Sequence, residues 1–162
     1  MSVKVIAEIG INHHGKISQA MTLIDQAHSA GCWGVKFQYR DIENFYGEAT
    51  EIGDEILLSE IKRSHLDIDT LLELVTYAQA KSLRVGVSFF RKEDFVKLEG
   101  KLRPFDFFKV PSAECTNSEL IQCLLDTGKH VMVSTGGHHY DEITKRNPIS
   151  DAKYRINVTK YI

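Results

Sequence analysis

The sequence predicts an α/β protein built on a parallel sheet. Five short apolar runs alternate with segments whose apolar residues recur at three- and four-residue spacing. Each run ends in a polar or glycine-bearing turn. Alternation of this kind implies right-handed crossovers onto a parallel sheet, either a closed barrel or a doubly wound open sheet, and periodicity alone does not choose between them.

Val3 to Ile9 is a nearly continuous apolar run closed by Gly10, the pattern of a strand buried on both faces. Ser18 to Ala30 places Ala20, Leu23, Ile24 and Ala27 on one helical stripe, with Gly31 as a left-handed stop. Cys32 to Gln38 reads as the second strand. The polar stretch Tyr39 to Ser64 is too long for a plain connection in a compact domain, which marks it as a working loop. A helix over Asp69 to Lys81, a strand over Arg84 to Phe90, a helix over Glu93 to Glu99 and a strand over Phe105 to Pro111 continue the rhythm. A helix over Ser118 to Thr127, closed by Gly128, and a strand over His130 to Ser134 follow. Tyr140 to Lys145 starts as a helix, Pro148 interrupts it, and Tyr154 to Ile162 reads as extended.

The 162 residues are 43% hydrophobic and 26% charged, with a formal charge of -2, so one domain over residues 1–162 with an ordinary core is expected. Dispersed charge supplies no field for nucleic acid or an acidic membrane surface. No apolar run approaches the length of a membrane span and no basic leader opens the chain, which points to a cytoplasmic protein acting on small molecules. Cys32, Cys115 and Cys123 form no CxxC pair and read as structural thiols.

In a parallel βα fold the C-terminal strand ends share one face, so residues closing different strands are the functional candidates. They are Glu8 with Asn12 and His13, then Lys36 and Gln38, Ser88, Lys109 with Ser112 and Glu114, and Ser134 with Thr135. Lys36 and Lys109 sit inside apolar strands, where an ammonium needs an anionic partner. Glu8 and Glu114 could supply it as ion pairs. Alternatively the lysines, with the hydroxyls of Ser88, Ser112 and Ser134, bind phosphate and carboxylate oxygens of a substrate. His14, His138 and His139 read as solvated loop residues, because adjacent histidines point apart and no third ligand stands at metal spacing.

Four segments together resemble the sialic acid synthases, the family of N-acetylneuraminate, legionaminate and pseudaminate synthases. They are Ala7-Glu8-Ile9-Gly10-Ile11-Asn12-His13, Gly34-Val35-Lys36-Phe37-Gln38, Lys109-Val110-Pro111-Ser112-Ala113-Glu114 with Asn117, and Gly128-Lys129 leading to Val133-Ser134-Thr135-Gly136. Val158-Thr159-Lys160-Tyr161 resembles the family's sixth strand ending.

The resemblance implies a (β/α)₈ TIM-type barrel, of which this chain carries about six βα units; such barrels take about 250 residues. It implies condensation of phosphoenolpyruvate with an N-acylated amino sugar, releasing phosphate, with Mn²⁺ or Mg²⁺ as cofactor. Glu8, Lys36, Lys109 and Glu114 are then the catalytic candidates. Asn12, His13, Gln38, Ser88, Ser112, Asn117, Ser134, Thr135 and Tyr161 are the substrate-binding ones. The resemblance places the family's metal-ligating histidines and its C-terminal antifreeze-like domain beyond residue 162, and it admits a homo-oligomer. The alternative reading is a catalytically silent partial barrel that retains an anion site or acts in assembly. Ala113 and Ser88-Phe89 depart from the family pattern, setting a methyl and a ring beside the expected phosphate site.

Overall fold

The computed structural model of the chain describes residues 3–42, 55–139, 141, 143 and the backbone of 157–159. Two units, Met1–Val85 and Gly86–Ile162, organise it.

In the first unit, β1 (Ile6–Gly10) pairs in parallel with β2 (Gly34–Gln38), setting Ile6 opposite Gly34 and Glu8 opposite Lys36. The intervening α1 (Ile17–Ser29) buries Ala20, Ile24 and Ala27 and packs on both strands. It stops where the stop signal predicts, with Gly31 at φ +72° and the Cys32 amide donating to the Ala27 carbonyl at 3.0 Å. Next come α2 (Glu55–Arg63), which buries Leu58 and Ile61, and α3 (Ile68–Ala80), which packs against α1. Asp67 caps α3 by accepting from the Thr70 amide at 2.9 Å. Between α1 and α3, Tyr77 donates to Asp25 Oδ1 at 2.9 Å and Lys81 Nζ lies 2.8 Å from the same oxygen.

Two sequence expectations change here. β1 begins at Ile6, with Val3 and Val5 exposed, and only Ile9 and Gly10 of the strand are buried. Ile6 and Ala7 are half-buried and Glu8 is exposed, so the strand lacks the two-sided burial that the apolar run suggested. The stretch expected as one long loop contains α2, whose two buried residues at three-residue spacing were hidden by the surrounding charge.

The second unit is a consecutive parallel ladder. β3 (Arg84–Ser88) pairs through Gly86 to Ser88 with β4 (Phe107–Val110), β4 pairs with β5 (His130–Ser134), and β5 with β6 (Asn157–Thr159). Each strand lies beside the next in sequence without reversal, the progression of a barrel rather than of a doubly wound sheet. The crossovers are α4 (Lys92–Lys97) and α5 (Ser118–Asp126), which pack together, with α5 on β5. Lateral pairs share a face, so Val87, Phe108 and Val131 face one way, as do Val110 and Val133, and all are at most 2% exposed. Phe89, Phe95 and Phe108 form an aromatic cluster, with Phe89 and Phe95 centroids 5.7 Å apart and rings at 85°.

Lys129, just before β5, donates through Nζ to the carbonyls of Leu102 (3.2 Å), Arg103 (2.8 Å) and Phe105. Its ammonium lies 5.8 Å from the Phe108 ring centroid. Among the described residues no helix is long and apolar enough to cross a membrane. Most of the expected fifth helix over Tyr140 to Lys145, the Pro148 break and Tyr161 lie outside the described residues.

Gly86 is required by its neighbour rather than by its own torsion: a Cβ there would stand 2.0 Å from the Phe107 ring. Gly86→Ala should therefore cost about 1–3 kcal/mol in urea denaturation. The cost should shrink measurably in a Phe107→Leu background, and additive effects would deny that the ring is the obstacle.

Candidate functional site

In the first unit the site is built on β2. Lys36 and Gln38 share one face of the pleat, and the register puts Glu8 of β1 on that face, while Val35 and Phe37 turn the other way and are fully buried. Lys36 Nζ meets Glu8 Oε2 at 2.5 Å, with 6% of the lysine side chain and 40% of the glutamate side chain exposed. Burial pushes the Lys36 pKa below its usual value, and the Glu8 charge and hydrogen bond push against that. The ion-pair expectation for Lys36 is met in this geometry.

The ladder slips between Glu8 and Gly10, a bulge with Gly10 at φ +54°. A Cβ on Gly10 would fall 3.1 Å from Glu8 Oε1 and 3.3 Å from Gln38 Nε2. The carboxylate and the amide therefore border one space that glycine keeps clear.

The turn after β1 is locked by its own side chains. Asn12 Nδ2 donates to the Ile9 carbonyl at 3.1 Å, and Gln19 Nε2 donates to the Asn12 carbonyl at 3.1 Å. His13, which the resemblance directs to substrate, is 2% exposed and accepts at Nδ1 from the Gly15 amide at 3.1 Å. Burial holds its pKa below the usual value, opposed by a hydrogen bond to the Gly10 backbone. An accepting Nδ1 means a neutral ring inside the turn. His14, at φ +49°, is exposed as expected, with Nδ1 3.1 Å from Arg63 Nη2. The turn is seated against the end of α2: a Cβ on Gly15 would lie 2.5 Å from the Arg63 carbonyl oxygen.

In the second unit, Ser88 lies opposite Lys109 and Lys109 opposite Met132, so Ser88, Lys109 and Ser134, two residues past Met132, share one face at the strand ends. Ser88 and Ser134 are 1% and 5% exposed, and Lys109 is half-buried. A 3₁₀ turn over Ser112–Glu114 follows β4, and a Cβ on Gly136 would come within 3.7 Å of Ser112 Cβ and 3.9 Å of its Oγ. The turn bearing Ser112 thus approaches the turn bearing Thr135, and an ammonium and three hydroxyls gather at one end of the ladder. Glu114 accepts from Asn117 Nδ2 at 2.9 Å, while Asn117 Oδ1 caps α5 by accepting from the Leu120 amide at 3.1 Å. Phe89 corrects one expectation. Its ring packs with Phe95 and Phe108, and Phe108 lies on the face opposite Lys109, so the ring joins the core instead of crowding the hydroxyls. Ala113 is exposed.

Among the described residues no three His, Cys, Asp or Glu side chains gather as a metal-ligand set. Sequence reasoning passed over a pocket beside Gln38 that reaches Arg40 and Ser64 in the long connection; the isolated serine in a charged segment carried no signal.

Parallel strands taken in sequence order, with polar groups at their C-terminal ends, define a chain of the (β/α)₈ TIM-barrel type, and comparison with known proteins agrees. Residues 23–158 match the model of the NeuB family. The N,N'-diacetyllegionaminic acid synthase of Campylobacter jejuni is 30% identical over 148 residues, covering 86% of this chain and 44% of that protein. Among solved structures, the N-acetylneuraminic acid synthetase of Leptospira borgpetersenii, in complex with citrate, superposes with a TM-score of 0.77 at 26% identity, covering 90% of this chain and 49% of that one. The spore coat polysaccharide biosynthesis protein SpsE of Bacillus subtilis superposes with a TM-score of 0.69 at 26% identity, covering 89% and 39%. This chain belongs to the NeuB family. It spans less than half the length of the relatives it matches.

The ion pair is asymmetric, because water reaches the carboxylate and not the ammonium. Glu8→Gln should destabilise the fold by up to about 3 kcal/mol, the low end for a broken buried pair. Lys36→Met, which leaves a solvated carboxylate, should cost less than about 1 kcal/mol; the reverse order in chemical denaturation would refute the assignment. His13 gives a pH signature. Its folded pKa lies below the unfolded value of about 6.5, so on acidification the unfolded chain takes the proton first and stability falls below pH ~6.5. Denaturation midpoints at pH 7.5 and pH 5.0 should lie closer together in His13→Asn than in the parent.

Proposed function

We propose that this chain carries the substrate-handling strands of a nonulosonic acid synthase, which condenses phosphoenolpyruvate with an N-acylated amino sugar and releases phosphate. The observation that supports it most is the second unit's cluster of Lys109 with Ser88, Ser112 and Ser134. One cation and several hydroxyl donors suit phosphate oxygens, because charge-assisted hydrogen bonds tolerate the desolvation of a strand end. Family membership and the synthase names of two relatives support the same reading.

In this reading C3 of phosphoenolpyruvate forms a bond to the aldehyde carbon of the open-chain sugar, whose oxygen takes a proton. Water adds at C2 and gives up a proton, the bond from C2 to the phosphate oxygen breaks, and phosphate leaves as the C2 ketone forms. Lys109 and the three serines hold the phosphate, and Thr135 belongs to the same end of the ladder. The family resemblance assigns Lys36 to the carboxylate. Glu8 steadies that ammonium, and Gln38 faces the sugar. Asn12 and His13 serve by holding the turn in which Glu8 ends. Glu114 and Asn117 act toward the sugar from the cap of α5, and Tyr161 joins them by resemblance alone.

The family resemblance assigns the reaction a divalent metal, Mn²⁺ or Mg²⁺. Glu8 is engaged by Lys36 and the His13 ring within its turn, so the described residues do not by themselves fit a metal site. A cytoplasmic location and a homo-oligomer belong to the same proposal. A second reading, a barrel portion that binds the anion without turnover, rests on the same strand-end cluster of Lys109 and the serines.

Phosphate release from phosphoenolpyruvate, N-acetylmannosamine and Mn²⁺ tests both. Turnover that disappears in Lys109→Ala, with the thermal melt retained, is the expected result. Binding of phosphoenolpyruvate that weakens at least about tenfold in that variant, without turnover, leaves the silent module. Failure to bind phosphoenolpyruvate removes both readings.

A further inference from the structure

A small cavity lies between the end of β2 and the end of α2. Its volume is about 20 Å³, above the roughly 10–15 Å³ that one water molecule needs and far below the range of a ligand pocket, about 300–1,000 Å³. Polar residues line it from both elements: Gln38 closes β2 and Arg40 follows it, while Ser64 and His65 follow α2. Ile61 and Leu66 add apolar wall.

Ser64 decides what the cavity holds. Its amide continues α2 by donating to the Glu60 carbonyl at 3.0 Å, so the helix end fixes the residue. The residue is 5% exposed, and among the described residues its Oγ has no hydrogen-bond partner. A buried hydroxyl without a partner is rare, because the desolvation of the group is then uncompensated. Empty cavities in proteins are lined by apolar side chains, whereas cavities with polar walls hold waters that make about three hydrogen bonds each. The walls here are of the second kind.

We infer that this cavity is the binding site of one ordered water molecule, held by the Ser64 hydroxyl with Gln38 and Arg40, which fastens the end of α2 to the end of β2. Water has the size and the mixed character the walls require. A guanidinium only donates, so the water accepts from Arg40, while a hydroxyl and an amide can each take one of its protons. Gln38 also borders the space at Gly10, its Nε2 falling 3.3 Å from where a Cβ would stand, and Glu8 borders the same space. Ser64 is therefore a positioning residue: through the water it steadies the Gln38 amide that faces Glu8. This holds independently of what the strand ends bind.

Water–protein nuclear Overhauser spectroscopy on the chain tests this, together with amide hydrogen exchange in Ser64→Ala. Cross-peaks between water and the methyls of Ile61 or Leu66, with the sign of a bound molecule, are the expected result. Ser64→Ala should speed exchange at the end of α2 about fivefold, the loss of one ordinary hydrogen bond, and should shift the side-chain amide resonances of Gln38. A serine that only supports the helix would change exchange and leave the Gln38 amide where it was, which overturns the positioning role. A dry cavity reverses the first effect: removing an uncompensated hydroxyl slows exchange, no cross-peak appears, and the water site is refuted. Faster exchange without cross-peaks refutes it equally, since the hydroxyl then has a protein partner.

Discussion

Lys36 lies in a strand whose neighbours Val35 and Phe37 are fully buried, and its ammonium is almost closed to water. An ammonium in that position is tolerable only with a carboxylate against it. Much of the first unit follows from meeting that condition. The parallel register has to set Glu8 opposite Lys36, and the slip after Glu8 has to bring Gly10 in without a side chain. Gln38, on the same face, then stands beside the carboxylate, and the turn from Ile11 to Gly15 leaves in a direction fixed by its own hydrogen bonds. A polar centre and a rigid turn are thus two outcomes of satisfying one buried charge.

The second unit reaches a similar result by different means. There the period-two pleat sorts the chemistry: Val87, Phe108, Val131 and Val133 fill the core, while Ser88, Lys109 and Ser134 emerge at strand ends. Beneath them on that face Phe107 covers Gly86, a packed layer that closes the space below the polar groups. Hydroxyls and an ammonium thus stand over an apolar floor that holds their strand ends still.

Much of this was legible in the sequence because strand runs, glycine stops and helical stripes are local signals. Gly31 and Gly128 end helices where expected, and the polar strand ends mark Glu8, Lys36, Ser88, Lys109 and Ser134. What was not legible depends on partners distant in the chain. The apolar run before Ile6 promised burial that only packing partners distant in the chain can supply, and the core role of Phe89 depends on Phe95 and Phe108 being in place. His13 read as a substrate group because its sequence position is conspicuous, whereas its ring serves the Gly15 amide. Asn117 likewise has a capping task that the motif alone does not announce.

Lys129 converges on the carbonyls of Leu102, Arg103 and Phe105 from the other end of its crossover. Three inward-turned carbonyl oxygens around one positive centre are the coordination shell that proteins elsewhere build for a potassium or calcium ion. Here the cation arrives on a tether of four methylenes, so its local concentration is set by the chain and not by the medium. The segment before β4 is therefore ordered by an internal counterpart of an ion, one that dialysis or chelation cannot remove.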